Sequence, residues 1–224
     1  MRKRLVIAGI GIIFLALFFV FTLIVRTDIF RQLDFNITVK IQNHLPAKSY
    51  YLLGLLSELA RFEVITVLIL IVLAVSRQWL QIILFFIIYV GSHLLELIGK
   101  LLLHQPPPPY MFYKVQNETW FPNDYIRTGN SYPSGHSLRA VFFAVILGTY
   151  VFQSKRIPYI VKLLIISGAI GFAVLIALAK VALGQHWTTD VIAGIFLGLG
   201  GSLLNISFFQ LNSKHLKHHL KKDL

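Results

Sequence analysis

Two residues with catalytic chemistry lie four positions apart near the start of the last apolar segment. They are His186 and Asp190, and on a helix this spacing places both side chains on one face. A carboxylate beside an imidazole fixes the tautomer of the ring and stabilises the charge that forms when the other nitrogen attacks. A structural pair at the membrane interface is the alternative. A metal site has less support, because there is no H-E-x-x-H string and no carboxylate cluster.

A second group of reactive residues is the string Pro133-Ser134-Gly135-His136. Ser134 can cap a helix, Gly135 permits close approach of the backbone, and the free N–H groups of a first helical turn bind anions. His136 can exchange a proton near neutral pH. The alternative interpretation is a capped helix with a histidine at the membrane interface.

Two lysines accompany these histidines at the ends of apolar segments. Lys100 follows Glu96 by one helical turn, with His93 on nearly the same face, and Lys180 precedes His186 by six residues. Two cations beside two histidines suit a phosphate group, because they neutralise its charge before and during phosphoryl transfer. Each lysine alone can instead extend its ammonium to the membrane interface.

The elements that position these residues are expected to be membrane-spanning helices. Of the 224 residues, 56% are hydrophobic and 13% are charged, whereas soluble domains have about 25% charged residues. The absence of cysteine from the sequence excludes disulfides, thiolate metal sites and cysteine nucleophiles. We predict an all-α integral membrane bundle of six transmembrane helices in a single domain, residues 1–224. The predicted spans are 5–25, 50–75, 79–103, 134–152, 161–183 and 187–211.

Loop charge predicts the orientation of this bundle. Most lysines and arginines outside the spans lie at the termini and in the turns at 76–78 and 154–158, so these parts are expected in the cytoplasm. Loops 26–49 and 104–133 are then extracytoplasmic. Topology also explains the net charge of +12 better than nucleic-acid binding does. Apart from Lys162 at the cytoplasmic end of span five, the ionisable residues within spans two to six lie at their outer ends, which predicts a polar site near the outer face of the cell membrane.

With these residues in place, the chain resembles the phosphatidic acid phosphatase type 2 superfamily of membrane lipid phosphatases. The family's second signature, Pro-Ser-Gly-His, is complete at 133–136. The first signature begins at Lys100, and the third contains His186 and Asp190 at the family's spacing. The signatures follow the family's order on the expected spans.

The resemblance implies a role for each matching residue and no metal or other cofactor. His186 is implied as the nucleophile that becomes phosphohistidine, with Asp190 orienting it. His136 is implied as the acid that protonates the leaving oxygen. The implied phosphate-binding residues are Lys100, Ser134, Gly135 and Lys180.

The chain departs from the family signatures at three positions. Pro107 stands where the first signature has arginine, Lys180 replaces the arginine of the third signature, and Ala179 replaces its serine. Lysine keeps the charge but lacks the bidentate geometry of a guanidinium. We therefore expect another cation near the phosphate, with Arg139 as the first candidate and Arg127 as the second. The alternative for Arg139 is a structural ion pair with Glu58, Glu63 or Glu96.

The expected function is hydrolysis of a lipid phosphate or diphosphate at the outer membrane face. By family analogy, a polyprenyl diphosphate is the first substrate choice, followed by phosphatidic acid and phosphatidylglycerol phosphate. The expected partners are this substrate and membrane lipids, without nucleic acid, and the sequence leaves the oligomeric state open. Two alternatives stay open: a lipid phosphotransferase with the same site, and a weakly catalytic lipid-phosphate-binding protein. A channel or transporter has less support, because no span is broken by proline.

Overall fold

The computed structural model describes residues 2–75, 79–114 and 129–219, with side chains for 2–75, 82–114 and 129–208. These residues form helices and connecting segments without a strand, including a short 3₁₀ helix at Tyr110–Phe112. The turn at 76–78 and Arg127 lie outside the described residues. The side chains of the lysine-rich C-terminal segment after residue 208 do so as well. The α-helices are α1 (Arg2–Val25), α2 (Arg31–His44), α3 (Ala47–Leu59), α4 (Phe62–Val75), α5 (Trp79–Leu102), α6 (Gly135–Gln153), α7 (Tyr159–Ala182) and α8 (Thr188–His219).

Five stretches within the described residues are long and apolar enough to cross a membrane. They are α1, α6, α7, Ile82–Leu102 of α5 and Thr188–Phe208 of α8. On α7, Leu164 and Ile170 expose more than half of their surface, as expected of side chains that face lipid. The chain is therefore an all-α, multi-pass membrane protein, which confirms the predicted fold class.

The second predicted span, residues 50–75, is wrong as one continuous helix. It is divided into α3 and α4 at residues 60 and 61, and the 14 residues of α4 rise only about 21 Å. Polar contacts account for the break. Arg61 Nε pairs with Glu58 Oε2 at 2.6 Å, and the Ala60 carbonyl accepts a hydrogen bond from Arg139 Nε at 2.9 Å. A six-span count therefore requires α3 and α4 together to form one crossing.

The segment expected as a loop at 26–49 is largely helical. It contains α2 and the first residues of α3, and the turn before α2 includes Asp28 with a φ of 58°. Asp34 and Thr38 on α2 are buried against the rest of the bundle. The polar composition of this segment thus reflects contacts with protein on one side of a helix rather than an irregular loop.

Small residues allow α8 to pack directly against α6. A Cβ atom at Gly194 would meet the carbonyl oxygen of Ser134, and one at Gly198 would meet that of Leu138. Helix backbones approach this closely in membranes when glycine lies at the contact. This packing sets the distance between the first turn of α6 and the first turn of α8.

The end of α5, the start of α6 and the start of α8 meet at one end of the bundle. The Ser134 backbone N–H donates to the Asp190 carbonyl at 2.9 Å, which joins α6 to α8. Asn130 Nδ2 donates to the Lys100 carbonyl at 2.8 Å, which joins the segment before α6 to α5. All three predicted signature segments are consequently positioned at this end.

Candidate active site

His186 lies in the turn between α7 and α8 and contacts Asp190 in the first turn of α8. The Nδ1 atom of His186 is 3.2 Å from Asp190 Oδ2, and the same oxygen accepts the Trp187 backbone N–H at 2.9 Å. Asp190 is fully buried. Burial lowers the pKa of His186 below its usual range, and the hydrogen bond that Nδ1–H donates to the Asp190 carboxylate opposes this change. The ring is therefore neutral at pH 7, with Nδ1–H donating to the carboxylate and the Nε2 lone pair unprotonated.

Lys180 and His186 are held together by the turn that follows α7. The backbone N–H groups of Gln185 and His186 both donate to the Lys180 carbonyl at 3.1 Å. The Lys180 side chain is 4% exposed, and its Nζ donates to Gln185 Oε1 at 2.6 Å. Gln185 was not predicted as a site residue, although it lies directly before His186 in the sequence.

The first turn of α6 is capped as its sequence predicts. The Ser134 hydroxyl accepts the Ser137 backbone N–H at 3.4 Å and the Ser137 hydroxyl at 3.1 Å. Ser134 and Gly135 are buried at this end of the bundle. The other N–H groups of a first turn have no partner within the helix, so they are available to an anion.

His136 contacts Arg139 one turn later on α6. Arg139 Nη2 is 3.2 Å from His136 Nδ1, while Arg139 Nε donates to the Ala60 carbonyl. Because a guanidinium only donates, Nδ1 is the acceptor in this arrangement and Nε2 carries the proton. Lys180, Arg139, His186 and Lys100 lie close enough to His136 for their charges to act on it, and we call these five residues the histidine cluster.

Glu96 connects the cations on the α5 and α6 side of this cluster. Its Oε1 accepts from Lys100 Nζ at 2.7 Å, and its Oε2 lies 2.7 Å from His93 Nδ1 and 3.9 Å from Arg139 Nη1. A Cβ atom at Gly135 would collide with this carboxylate. The position of Glu96 one turn before Lys100 is evident from the sequence, whereas the contact of Glu96 with Gly135 at the start of α6 was not predicted.

Pro107 lies away from these polar contacts. It is exposed and lines a cavity of about 330 Å³ between the α1–α2 connection and Trp187. Trp187 Nε1 donates to the Pro106 carbonyl at 2.9 Å, which fixes this proline segment beside the turn that carries His186. Arg31 and His104 line the same cavity. Pro107 thus leaves the first-signature position without a cation, whereas Arg139 contacts His136 directly.

Metal ligands are not grouped in the described part of the chain. No set of three or more His, Asp or Glu residues there is arranged to hold a metal ion. His186 and Asp190 instead contact one another, and Glu96 contacts cations.

A family model of the PAP2 superfamily matches residues 78–214. The chain belongs to the PAP2 superfamily. This confirms the family that the three signatures predicted. The match begins at residue 78, so the expected single domain over residues 1–224 stays a prediction.

Two known proteins are similar to this chain. Phosphatidylglycerophosphatase B of Bacillus subtilis (strain 168) is 40% identical over 73 residues, which is 31% of this chain and 34% of that protein. The chain thus matches about a third of the length of this curated relative. The crystal structure of a transmembrane PAP2 type phosphatidylglycerolphosphate phosphatase from Bacillus subtilis has a TM-score of 0.71 at 21% identity. That alignment covers 90% of this chain and 96% of the other, and it supports the fold.

Proposed function

We propose that this chain is a membrane phosphatase that removes the terminal phosphate of a lipid phosphate or diphosphate through a phosphohistidine. The observation that carries the proposal is the 3.2 Å contact between His186 and Asp190, in a cluster that also contains His136 and two lysines. Membership of the PAP2 superfamily supports a phosphate ester as the substrate. In this scheme protein side chains supply the nucleophile, the proton and the positive charge, so the reaction needs no metal.

In the first step, His186 Nε2 attacks the phosphorus atom while Nδ1–H stays bonded to Asp190. A P–N bond forms as the P–O bond to the lipid breaks, and the bonding electron pair leaves on the lipid oxygen. Protonated His136 donates its proton to that oxygen. The products are a phosphohistidine and a lipid alcohol, or a lipid monophosphate when the substrate is a diphosphate.

In the second step, water attacks the phosphorus of the phosphohistidine. His136, which is now neutral, accepts a proton from this water. The P–N bond breaks, its electron pair returns to Nε2, and inorganic phosphate leaves. His186 Nε2 is then again unprotonated, and His136 again carries the proton with which it entered the first step.

The phosphate is bound by the cations of the cluster and by the first turn of α6. Lys100 and Lys180 neutralise its charge, and the Ser134 hydroxyl and the Gly135 backbone N–H donate to the anion at the N-terminus of α6. Arg139 is the further donor. The anion draws its guanidinium away from His136 Nδ1, and His136 can then carry the second proton that the first step requires.

Two lipid phosphates are the leading substrates. Phosphatidylglycerol phosphate gains support from the name of the curated relative, phosphatidylglycerophosphatase B. A polyprenyl diphosphate stays a prediction from family analogy. Both present a terminal phosphate with several negative charges, which suits the cations of the cluster.

The proposed orientation places the site outside the cytoplasm. The turn at 154–158 contains Lys155 and Arg156, and it lies at the opposite end of α6 from His136. Because cytoplasmic loops are enriched in lysine and arginine, this turn and both termini are assigned to the cytoplasm.

Phosphate release by purified protein in mixed micelles tests the proposal. The lipid panel contains a polyprenyl diphosphate, phosphatidylglycerol phosphate and phosphatidic acid, each with and without EDTA. We expect release from at least one lipid, unchanged by EDTA and absent from the His186→Ala variant. Loss of activity in EDTA contradicts the metal-free scheme, and transfer of phosphate to an acceptor without release indicates a phosphotransferase instead.

A further inference from the structure

Helix α2 presents a polar stripe to the protein. Asp34, Thr38 and Gln42 are four residues apart in succession and therefore share one face. Asp34 and Thr38 are 4% and 0% exposed, whereas Leu33 on another face is 52% exposed. A helix that buries polar groups needs partners for them, and these partners identify what the helix does.

Asp34 binds the first turn of α8. Its Oδ1 accepts the Thr189 backbone N–H at 3.0 Å, and its Oδ2 accepts the Thr189 hydroxyl at 2.6 Å. Gln105 Nε2 donates to the same hydroxyl at 3.0 Å. A carboxylate at this position caps the N-terminus of α8 and is attracted by the positive end of the helix dipole. Thr189 directly precedes Asp190, so this contact fixes the residue that holds His186.

Gln42 binds the other side of the same turn. Its Nε2 donates to the Ala182 carbonyl at 2.9 Å and to the Phe112 carbonyl at 2.7 Å. Ala182 is the last residue of α7. Gln42 thus holds the chain immediately before the turn that carries His186, and Asp34 holds the chain immediately after it.

We propose that α2 is a clamp on the turn between α7 and α8, and that Asp34 and Gln42 are positioning residues for His186. This inference rests on the proposed role of His186 as the nucleophile. Asp34 contacts Thr189 and Gln42 contacts the Ala182 carbonyl, so each acts on His186 through the residues that flank the turn. Misplacement of a reacting group by about 1 Å can lower a rate about a hundredfold, which gives the clamp a consequence for catalysis.

The clamp predicts graded effects at Asp34 and Gln42. Asp34→Ala removes both acceptors and should lower kcat about tenfold to a hundredfold, with KM within about twofold of wild type. Asp34→Asn keeps one acceptor and should have a smaller effect. Gln42→Ala and Gln42→Glu should lower kcat alike, because a carboxylate cannot donate to the Ala182 carbonyl. Asn36→Ala is the matched control on α2, since its side chain is exposed and accepts from Gln32.

Hydrogen–deuterium exchange and kinetics on the same micelle preparations test the clamp. We expect faster amide exchange at residues 183–191 in Asp34→Ala and Gln42→Ala, unchanged exchange there in Asn36→Ala, and lower kcat in the first two. Unchanged exchange in a folded Asp34 or Gln42 variant overturns the clamp, and so does faster exchange with wild-type kcat. If Asp34→Ala does not fold, Asp34→Asn and the Gln42 variants decide. Exchange is measured without substrate, so an inactive wild-type protein would reject the proposed function while leaving the clamp itself testable.

Discussion

At the residue scale, the proposed chemistry depends on the contact between His186 and Asp190 at the start of α8. The four-residue spacing of His186 and Asp190 predicts a shared face, and the structure places them 3.2 Å apart. Gln185 and the contact between Glu96 and Gly135 had no comparable signal, because a single glutamine or glutamate has many structural uses. Arg139 illustrates the limit: its charge could be predicted to need a partner, but not that Ala60, His136 and Glu96 would share it.

Arg139 provides the first test at this scale. Arg139→Ala should lower kcat/KM about a hundredfold or more, because a charge-stabilising donor is lost from the phosphate site. Arg139→Lys should recover little, since an ammonium lacks the guanidinium's planar fork. Kinetics and thermal unfolding on one preparation are the measurement. A lowered Tm with wild-type turnover would assign Arg139 to structure alone.

The pH profile provides a second test, because the nucleophilic form of His186 is neutral. Burial lowers the pKa of His186, so activity is retained as pH falls until it passes that lowered value. The acid limb of kcat/KM should therefore lie below the usual histidine pKa of about 6.5. Asp190→Asn removes the carboxylate that raises the pKa of His186. The acid limb of the remaining kcat/KM should therefore move to lower pH. The wild type and Asp190→Asn are compared on one substrate, so the titration of the substrate phosphate affects both profiles equally. An acid limb that moves to higher pH in Asp190→Asn would contradict the proposed neutral nucleophile.

At the element scale, long apolar helices were predictable and the shorter elements were not. Helix α7 has a continuous apolar sequence, so its span follows from composition. The break between α3 and α4 depends on Arg139, which lies 79 positions after Ala60. Helix α2 buries its polar face against the protein, and the partner of Asp34, Thr189, lies 155 positions later in the chain. Because this partner is distant in sequence, the polar residues of α2 indicate a loop when the sequence is read alone.

The packing of α8 against α6 gives a prediction for this scale. Gly194→Ala places a methyl group against the Ser134 carbonyl, so it should lower the free energy of unfolding by about 1–3 kcal/mol and reduce activity. Gly168→Ala on α7 is the control, because no atom lies within 4 Å of its new Cβ. This control should be neutral or slightly stabilising. Equal thermal stability of the two variants would contradict the close packing of α6 and α8.

At the scale of the whole molecule, the proposed orientation puts the site and the basic turn at 154–158 on opposite sides of the membrane. The chain has no cysteine, so single cysteines report topology without background. Met111→Cys, near the site end and 71% exposed, should react with an impermeant maleimide in intact cells. Arg156→Cys should react only after lysis. The reverse pattern would place the site in the cytoplasm.

In the proposed mechanism His186 carries the phosphoryl group during turnover, and this intermediate can be detected directly. Rapid mixing with a lipid substrate is followed by an alkaline denaturing quench, which preserves phosphohistidine, and by peptide mass spectrometry. We expect one phosphoryl group on His186, formed and lost at rates that match turnover. With a good leaving group, the intermediate should accumulate in His136→Ala, because the base for the second step is missing. Full turnover in His186→Ala, or a phosphoryl group on another residue, would contradict the account.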